Sequence, residues 1–233
     1  MRGCTATFLV ITLVVAGFMG TLNKRTCSSP ITFVLKAQSD NYVSENNPTS
    51  CYGSEVVLNV RSYFDGQNHN NHRTYIYFDI NLIPENVKIL SALLWLYKNP
   101  EGANPGVRDI LAFRVTDAWD EYTQNWDTQP NVSQKPTASS KVDGPLKWYS
   151  WDLTQDVRAW YDGSAPNYGT MLRDGVENSR TDYASIFLSR EASHPENPYL
   201  QVEYIELAES TAATSGELTA VSLISRFAWI LLA

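Results

Sequence analysis

Histidine, cysteine and methionine are scarce in this 233-residue chain, with three of each. That scarcity speaks against a zinc centre, whose ligands come from clustered His and Cys, and neither an HExxH nor a Cys/His quartet occurs. His69 and His72 sit in an Asn-rich stretch and His194 stands between Ser193 and Pro195, the setting of exposed loop residues. There is no GxSxG elbow and no Gly-rich phosphate cradle, so no activated serine and no cofactor is implied. Positive charge is short too: 18 Lys and Arg stand against 25 Asp and Glu, a formal net charge of −7. Phosphate binding needs a basic face, so nucleic acid is not an expected partner.

Paired carboxylates support glycoside hydrolysis, and Asp117, Asp120, Glu121 and Glu191 are the ones to weigh. Each has a structural explanation in its local frame. Trp119 to Thr123 has the form of a turn closed by side-chain to backbone hydrogen bonds, and Glu191 follows its own ion-pair candidate, Arg190. The chain is therefore read as no enzyme. Asp40, Glu45 and Asn46 offer oxygens suited to calcium, but no loop has the spacing that specifies a site, and no metal is predicted.

The chain ends carry most of the long apolar runs. Arg2 precedes a nearly unbroken apolar stretch from Thr5 to Met19. Residues 1–20 are expected to form a signal peptide or, uncleaved, an N-terminal anchor. Cleavage would remove Cys4 and leave Cys27 and Cys51, either as a disulfide in an oxidising compartment or as two unpaired thiols. Asn131-Val132-Ser133 is a glycosylation sequon. Residues 207–217 read as a linker, and residues 218–233 as an apolar tail interrupted by Arg226. That tail suits a membrane-surface segment, a removable lipid-anchor signal or a contact with a partner chain. The expected location is extracellular or at the cell surface.

Between these ends, residues 31–206 follow a period of two. Leu58 and Val60 alternate with Asn59 and Arg61; Thr74, Ile76, Phe78 and Ile80 alternate with Arg73, Tyr75, Tyr77 and Asp79. Ala92, Leu94 and Leu96 alternate with Leu93, Trp95 and Tyr97, and Leu111, Phe113 and Val115 form a further inward set. Nine or ten such strands joined by Gly-, Pro- and Asn-rich turns predict an all-β, two-sheet β-sandwich or jelly roll. One short helix is expected near residue 154, with Thr154 or Asp152 as cap, Val157 and Trp160 on one face and Gly163 as stop. The connection from Thr116 to Leu146 is long enough to be an ordered plug or a functional loop.

If Ile76, Phe78, Leu94 and Leu96 point inward, then Arg73, Tyr75, Tyr77, Trp95 and Tyr97 point outward, with Arg61 extending the face. Exposed rings on a rigid sheet stack on the apolar face of a pyranose, while Arg and Tyr bind its oxygens. The alternative is that the long loop or the C-terminal tail covers these rings.

The order of motifs resembles the DNRLRE-domain proteins, also classed as carbohydrate-binding module family 96. The resemblance is carried by Ala37 to Val43, Asn47-Pro48-Thr49 and Tyr52-Gly53-Ser54, then by Arg73 to Asp79 and Ile89 to Tyr97. It continues through Thr116 to Glu121 with Thr123 and Trp126, through Trp151 to Thr154 with Val157, Trp160 and Gly163, and through Asn167-Tyr168-Gly169. Phe187 to Glu191 and Pro198-Tyr199-Leu200 complete it, so that it covers residues 33–205. The resemblance implies a secreted jelly roll that binds polysaccharide, in some members an acidic one such as alginate. Trp95 departs from it, standing where the family usually has a polar residue. Arg61, Arg73 and Lys98 are the cluster that would attract an acidic glycan. The expected function is a non-catalytic carbohydrate-binding module, with a structural or adhesive subunit of an extracellular layer, filament or matrix as the alternative.

Overall fold

The computed structural model describes residues 29–99, 106–144 and 146–207. The segments expected to be a signal or anchor and an apolar tail, residues 1–20 and 218–233, lie outside the described residues, as does Cys27. Among the described residues eleven strands form, all paired antiparallel. They are β1 (Ile31–Lys36), β2 (Ser39–Ser44), β3 (Val57–Ser62), β4 (His72–Tyr77), β5 (Val87–Tyr97), β6 (Arg108–Arg114), β7 (Ala138–Val142), β8 (Trp148–Asp152), β9 (Thr170–Asp174), β10 (Tyr183–Leu188) and β11 (Tyr199–Glu206). One sheet has four strands in the order β1-β11-β5-β8; the other has seven, β10-β3-β4-β9-β6-β7 with β2 paired to β4. This is the all-β sandwich that the alternation predicts.

The core fills the space between the sheets with alternate side chains of the strands, β2 excepted. Leu58, Val60 and Ile76 meet Leu94, Leu96, Trp151, Leu200 and Val202 there. Burial of each such side chain contributes about 1.5–3 kcal/mol. The Trp151 indole is fully buried, and its N–H donates to the Ile110 carbonyl, so it costs no unpaired donor. The helix α1, Thr154–Tyr161, turns Val157 and Trp160 into this core. Its first turn is held by Asp152, which accepts from the Thr154 N–H, and Gly163 follows it at φ 76°. That is the left-handed region that ends helices most cheaply at glycine.

A second apolar cluster lies apart from the core. Val43, Tyr75, Phe113, Val115 and Met171 pack beneath Trp119, Trp126, Val132 and Tyr168. Leu111, Phe113 and Val115 therefore belong to this outer layer, not to the inward set, and Ile110 and Ala112 take the inward places. Two apolar layers give β6 hydrophobic residues on both faces, so alternation alone cannot assign its parity. Strand β7, Ala138–Val142, forms inside the expected long connection; its small and polar residues carry no alternation to mark it. His72, expected in an exposed loop, instead opens β4 and is buried.

Candidate functional site

The structure divides the predicted ring face between the two sheets. Arg61 and Arg73, with Tyr75 and Tyr77, lie on β3 and β4 of the seven-stranded sheet, whereas Trp95 and Tyr97 lie on β5 of the four-stranded one. One continuous platform is thus corrected to two separate surfaces.

On the seven-stranded sheet the outward parity holds but exposure does not. Tyr75 is only 1% exposed, sealed by the loop after β6. Its hydroxyl donates to Gln129 Oε1 at 3.0 Å, and Arg73 Nη1 donates to the same oxygen at 2.9 Å. Gln129 Nε2 in turn donates to the Trp126 carbonyl, and the Arg73 guanidinium lies 4.6 Å from the centre of the Trp126 ring. Arg73 also makes a two-pronged ion pair with Glu177, and Arg61 makes one with Asp182. Lys98 is buried, and desolvation lowers its pKa. The three cations expected to attract an acidic glycan are therefore neutralised or enclosed. Tyr77 remains half-buried at a cleft of about 330 Å³ with Ser39, Trp119, Asn167 and Tyr168. The polar groups there are largely in structural use: Trp119 Nε1 donates to the Tyr168 carbonyl and Asn167 Nδ2 to the Phe78 carbonyl.

The same loop brings three carboxylates together. Oxygens of Asp40, Glu121 and Glu191 all lie within 4.8 Å of one another. Arg190 supplies the positive charge, with Nε and Nη2 donating to the two Glu121 oxygens at 2.9 and 3.1 Å and Nε 2.8 Å from Glu191. Asp40 accepts from the Arg190 backbone N–H and shares a side-chain hydrogen bond with Glu191. Burial, reinforced by Glu191 and Glu121, pushes its pKa up to about 8. Glu45 stands elsewhere, accepting from Asn71. The Asp120 turn forms as its sequence indicates, with Oδ1 accepting from the Tyr122 N–H and the Thr123 hydroxyl. Gly53 lets the preceding loop press on it, since a Cβ there would stand 2.0 Å from the Glu121 carbonyl oxygen. These groups lock the loop to β2.

The outer face of the four-stranded sheet is different. Registry sets Tyr199 beside Trp95, and Trp148 beside Tyr97. The Trp95 and Tyr199 rings run nearly parallel, 19° apart, with centres 6.3 Å apart; Trp148 meets Tyr199 edge-on at 5.0 Å and Tyr97 at 5.4 Å. All four rings are half-buried and belong to neither apolar cluster. Lys36 Nζ lies 5.7 Å from the Tyr199 ring centre. Tyr97 also borders a cleft of about 350 Å³ with Asn99, Leu146, Leu188, His194 and Glu196, where His194 Nδ1 and Glu196 are 3.1 Å apart. Among the described residues the Trp95 indole N–H is shielded and has no acceptor. Trp148 and Tyr199 were recognisable as outward from their own alternation with Tyr149, Trp151, Leu200 and Val202. Their place beside Trp95 follows only from strand order, which local pattern does not encode.

Two further predicted positions are placed. Cys51 is an exposed free thiol whose sulfur donates to the Glu121 carbonyl, and no disulfide is seen at it. Asn131 is exposed, with its amide nitrogen donating to Asp117. The sequence model of carbohydrate-binding module family 96 matches residues 31–204. No curated protein matches the chain.

Proposed function

The chain belongs to carbohydrate-binding module family 96, and on that premise we propose that it binds polysaccharide, without catalysing a reaction on it, through the ring cluster of the four-stranded sheet. Trp95, Tyr97, Trp148 and Tyr199 are its contact residues. The observation that carries this reading is the contrast between the two outer faces. On the seven-stranded sheet Tyr75 is roofed by a loop, and the polar tips of Tyr75 and of Trp119 in that loop are satisfied internally. On the four-stranded sheet four half-buried rings share one outer face, where they contact one another and, at Tyr199, Lys36, and no loop among the described residues packs them into an apolar cluster. Rings fixed by neighbouring rings lose little side-chain entropy on binding, which favours them as anchors. We place the protein outside the cell, in keeping with the apolar run from Thr5 to Met19 after Arg2.

A glycan array probed with the full chain tests the proposal. Trp95→Ala and Tyr199→Ala are each expected to weaken the best glycan about tenfold or more, the size of an anchor residue worth at least ~1.4 kcal/mol. Tyr77→Ala is expected to leave binding unchanged. The opposite pattern would move the site to the Tyr77–Trp119–Tyr168 cleft.

A further inference from the structure

Resting on the ring site just proposed, we infer that the glycan runs lengthwise along β8, from Trp148 over Ser150 into a polar groove at the first turns of α1, where Gln155, Arg158 and Asp152 bind its hydroxyl groups. The ligand that fits this path is a polysaccharide chain held along several of its sugars, not a single terminal sugar.

Strand parity sets the path. In β8 Tyr149 and Trp151 turn into the core, so Trp148, Ser150 and Asp152 share the outer face. A rise of about 3.3 Å per residue puts Asp152 about 13 Å along the strand from Trp148. Registry sets Tyr97 beside Trp148, Trp95 beside Ser150 and Leu93 beside Asp152. A strip of apolar side chains from the rings to Leu93 therefore flanks this line and suits the C–H faces of successive sugars. After Leu153 the chain enters α1, and a groove of about 700 Å³ opens there. It is lined by Asp152, by Thr154, Gln155 and Arg158 of α1, by Ser91 of β5 and by Ser139 of β7.

The groove presents polar groups that the fold leaves without partners. Arg158 Nε and Nη2 donate to the Ile89 and Leu90 carbonyls at 3.0 and 2.8 Å, which fixes the guanidinium at two points. Its Nη1 has no acceptor among the described residues, and no described carboxylate pairs with it. The exposed Gln155 amide and Ser139 hydroxyl have no partner among them either. Asp152 accepts from the Thr154 N–H and hydroxyl with Oδ1, leaving Oδ2 for a ligand. A sugar hydroxyl both donates and accepts, and this set answers both roles: Arg158 donates, Asp152 accepts and Gln155 does either. An arginine already held in place loses little side-chain entropy on binding. The cleft at the other end of the rings, beside Tyr97, differs in this respect. There His194 Nδ1 accepts from the Glu196 N–H and lies 3.1 Å from the Glu196 carboxylate.

The test is isothermal titration calorimetry of the full chain with disaccharides and hexasaccharides of a β-glucan, a β-mannan and alginate. In at least one series the hexasaccharide is expected to bind about tenfold or more tightly than the disaccharide. Trp95→Ala should weaken both about tenfold. Gln155→Ala should weaken the hexasaccharide about fivefold and Arg158→Gln about tenfold, the sizes of one neutral and one charge-assisted hydrogen bond, and neither should affect the disaccharide. Gln155 is exposed and alanine favours helix, so Gln155→Ala is expected to fold. Arg158 also braces β5, and far-UV circular dichroism checks its variant; should that one fail to fold, Gln155→Ala decides. Equal affinity for the two lengths, or a hexasaccharide indifferent to the groove variants, overturns the path while Trp95→Ala still weakens binding and leaves the ring site standing. Binding indifferent to both Trp95→Ala and Tyr199→Ala overturns the ring site, and the path with it. Binding in none of the three series overturns the path for the glycan classes named.

Discussion

Glu121 shows how a carboxylate that sequence alone offers as a candidate acid or base is held by long-range partners in space. It sits in a Trp-x-Glu element and is 5% exposed, yet both of its oxygens are taken: Oε1 accepts from the Asp40 N–H and Arg190 Nε, and Oε2 from Arg190 Nη2. Glu121→Gln keeps the shape but removes the charge that pairs with Arg190. We expect it to lower unfolding free energy by about 2 kcal/mol, less than a fully buried pair would lose because Arg190 is about a third exposed and retains Glu191. Urea denaturation would show this as a lower midpoint with unchanged slope. Neighbouring Asp120→Asn should cost under ~1 kcal/mol, since its contacts are local and solvent-exposed. The sequence already disclosed the Asp120 turn and the Arg190–Glu191 pairing, because both are short-range. It could not disclose Asp40 as the third carboxylate, because Asp40 meets Glu121 81 positions away and Arg190 150 positions away.

At the level of elements, parity and exposure are separate questions, and the two strands β4 and β5 answer them differently. Both alternate cleanly, and in both the inward residues were legible: Ile76 on one, Leu94 and Leu96 on the other, all fully buried. What lies over the outward residues depends on which connection folds back, and a loop of about 20 residues between β6 and β7 chooses the seven-stranded sheet. Its composition holds the clue, since Trp119, Trp126 and Val132 are more apolar than a solvated loop needs. Gln129 is the bolt, bridging Arg73, Tyr75 and the Trp126 carbonyl. Gln129→Ala is expected to cost about 1–2 kcal/mol. Hydrogen exchange should then quicken across residues 119–132 while the amides of β5 and β11 keep their protection. Tyr75→Ala removes a whole buried ring and should cost about 3–5 kcal/mol; Tyr75→Phe, losing one hydrogen bond, should cost about 1 kcal/mol. Neither change is expected to alter glycan affinity in the fraction that remains folded. That outcome would separate the covered face from the open one at the level of whole strands.

For the whole molecule, two buried groups give stability an unusual dependence on pH. Asp40 has its pKa pushed from 3.8 to about 8, first by burial and then by Glu191 and Glu121, against the opposing Arg190 N–H. Between these values the folded chain holds a proton that the unfolded chain releases, so stability falls as pH rises. His72 moves the other way, from 6.5 down to about 4, first by burial and then by Arg61. Over that interval the unfolded chain takes up a proton that the folded chain refuses, so stability rises with pH. Each slope approaches about 1.4 kcal/mol per pH unit at full occupancy. From about pH 4 to 6.5 the two oppose and nearly cancel, giving a plateau. From 6.5 to 8 Asp40 acts alone, and stability should fall by an amount on the order of 2 kcal/mol. Asp40→Asn keeps the shape of the protonated carboxyl and cannot ionise. It is expected to abolish the decline above pH 6.5 and to be more stable than the parent at pH 8. His72→Gln should instead turn the plateau into a continuous decline beginning near pH 4. Urea melts at about pH 5, 6.5 and 8 on the three chains decide the matter. A parent chain whose stability climbs between pH 6.5 and 8 would mean that Asp40 is ionised in the fold, with Arg190 shared among three carboxylates instead of two and no proton held between Asp40 and Glu191.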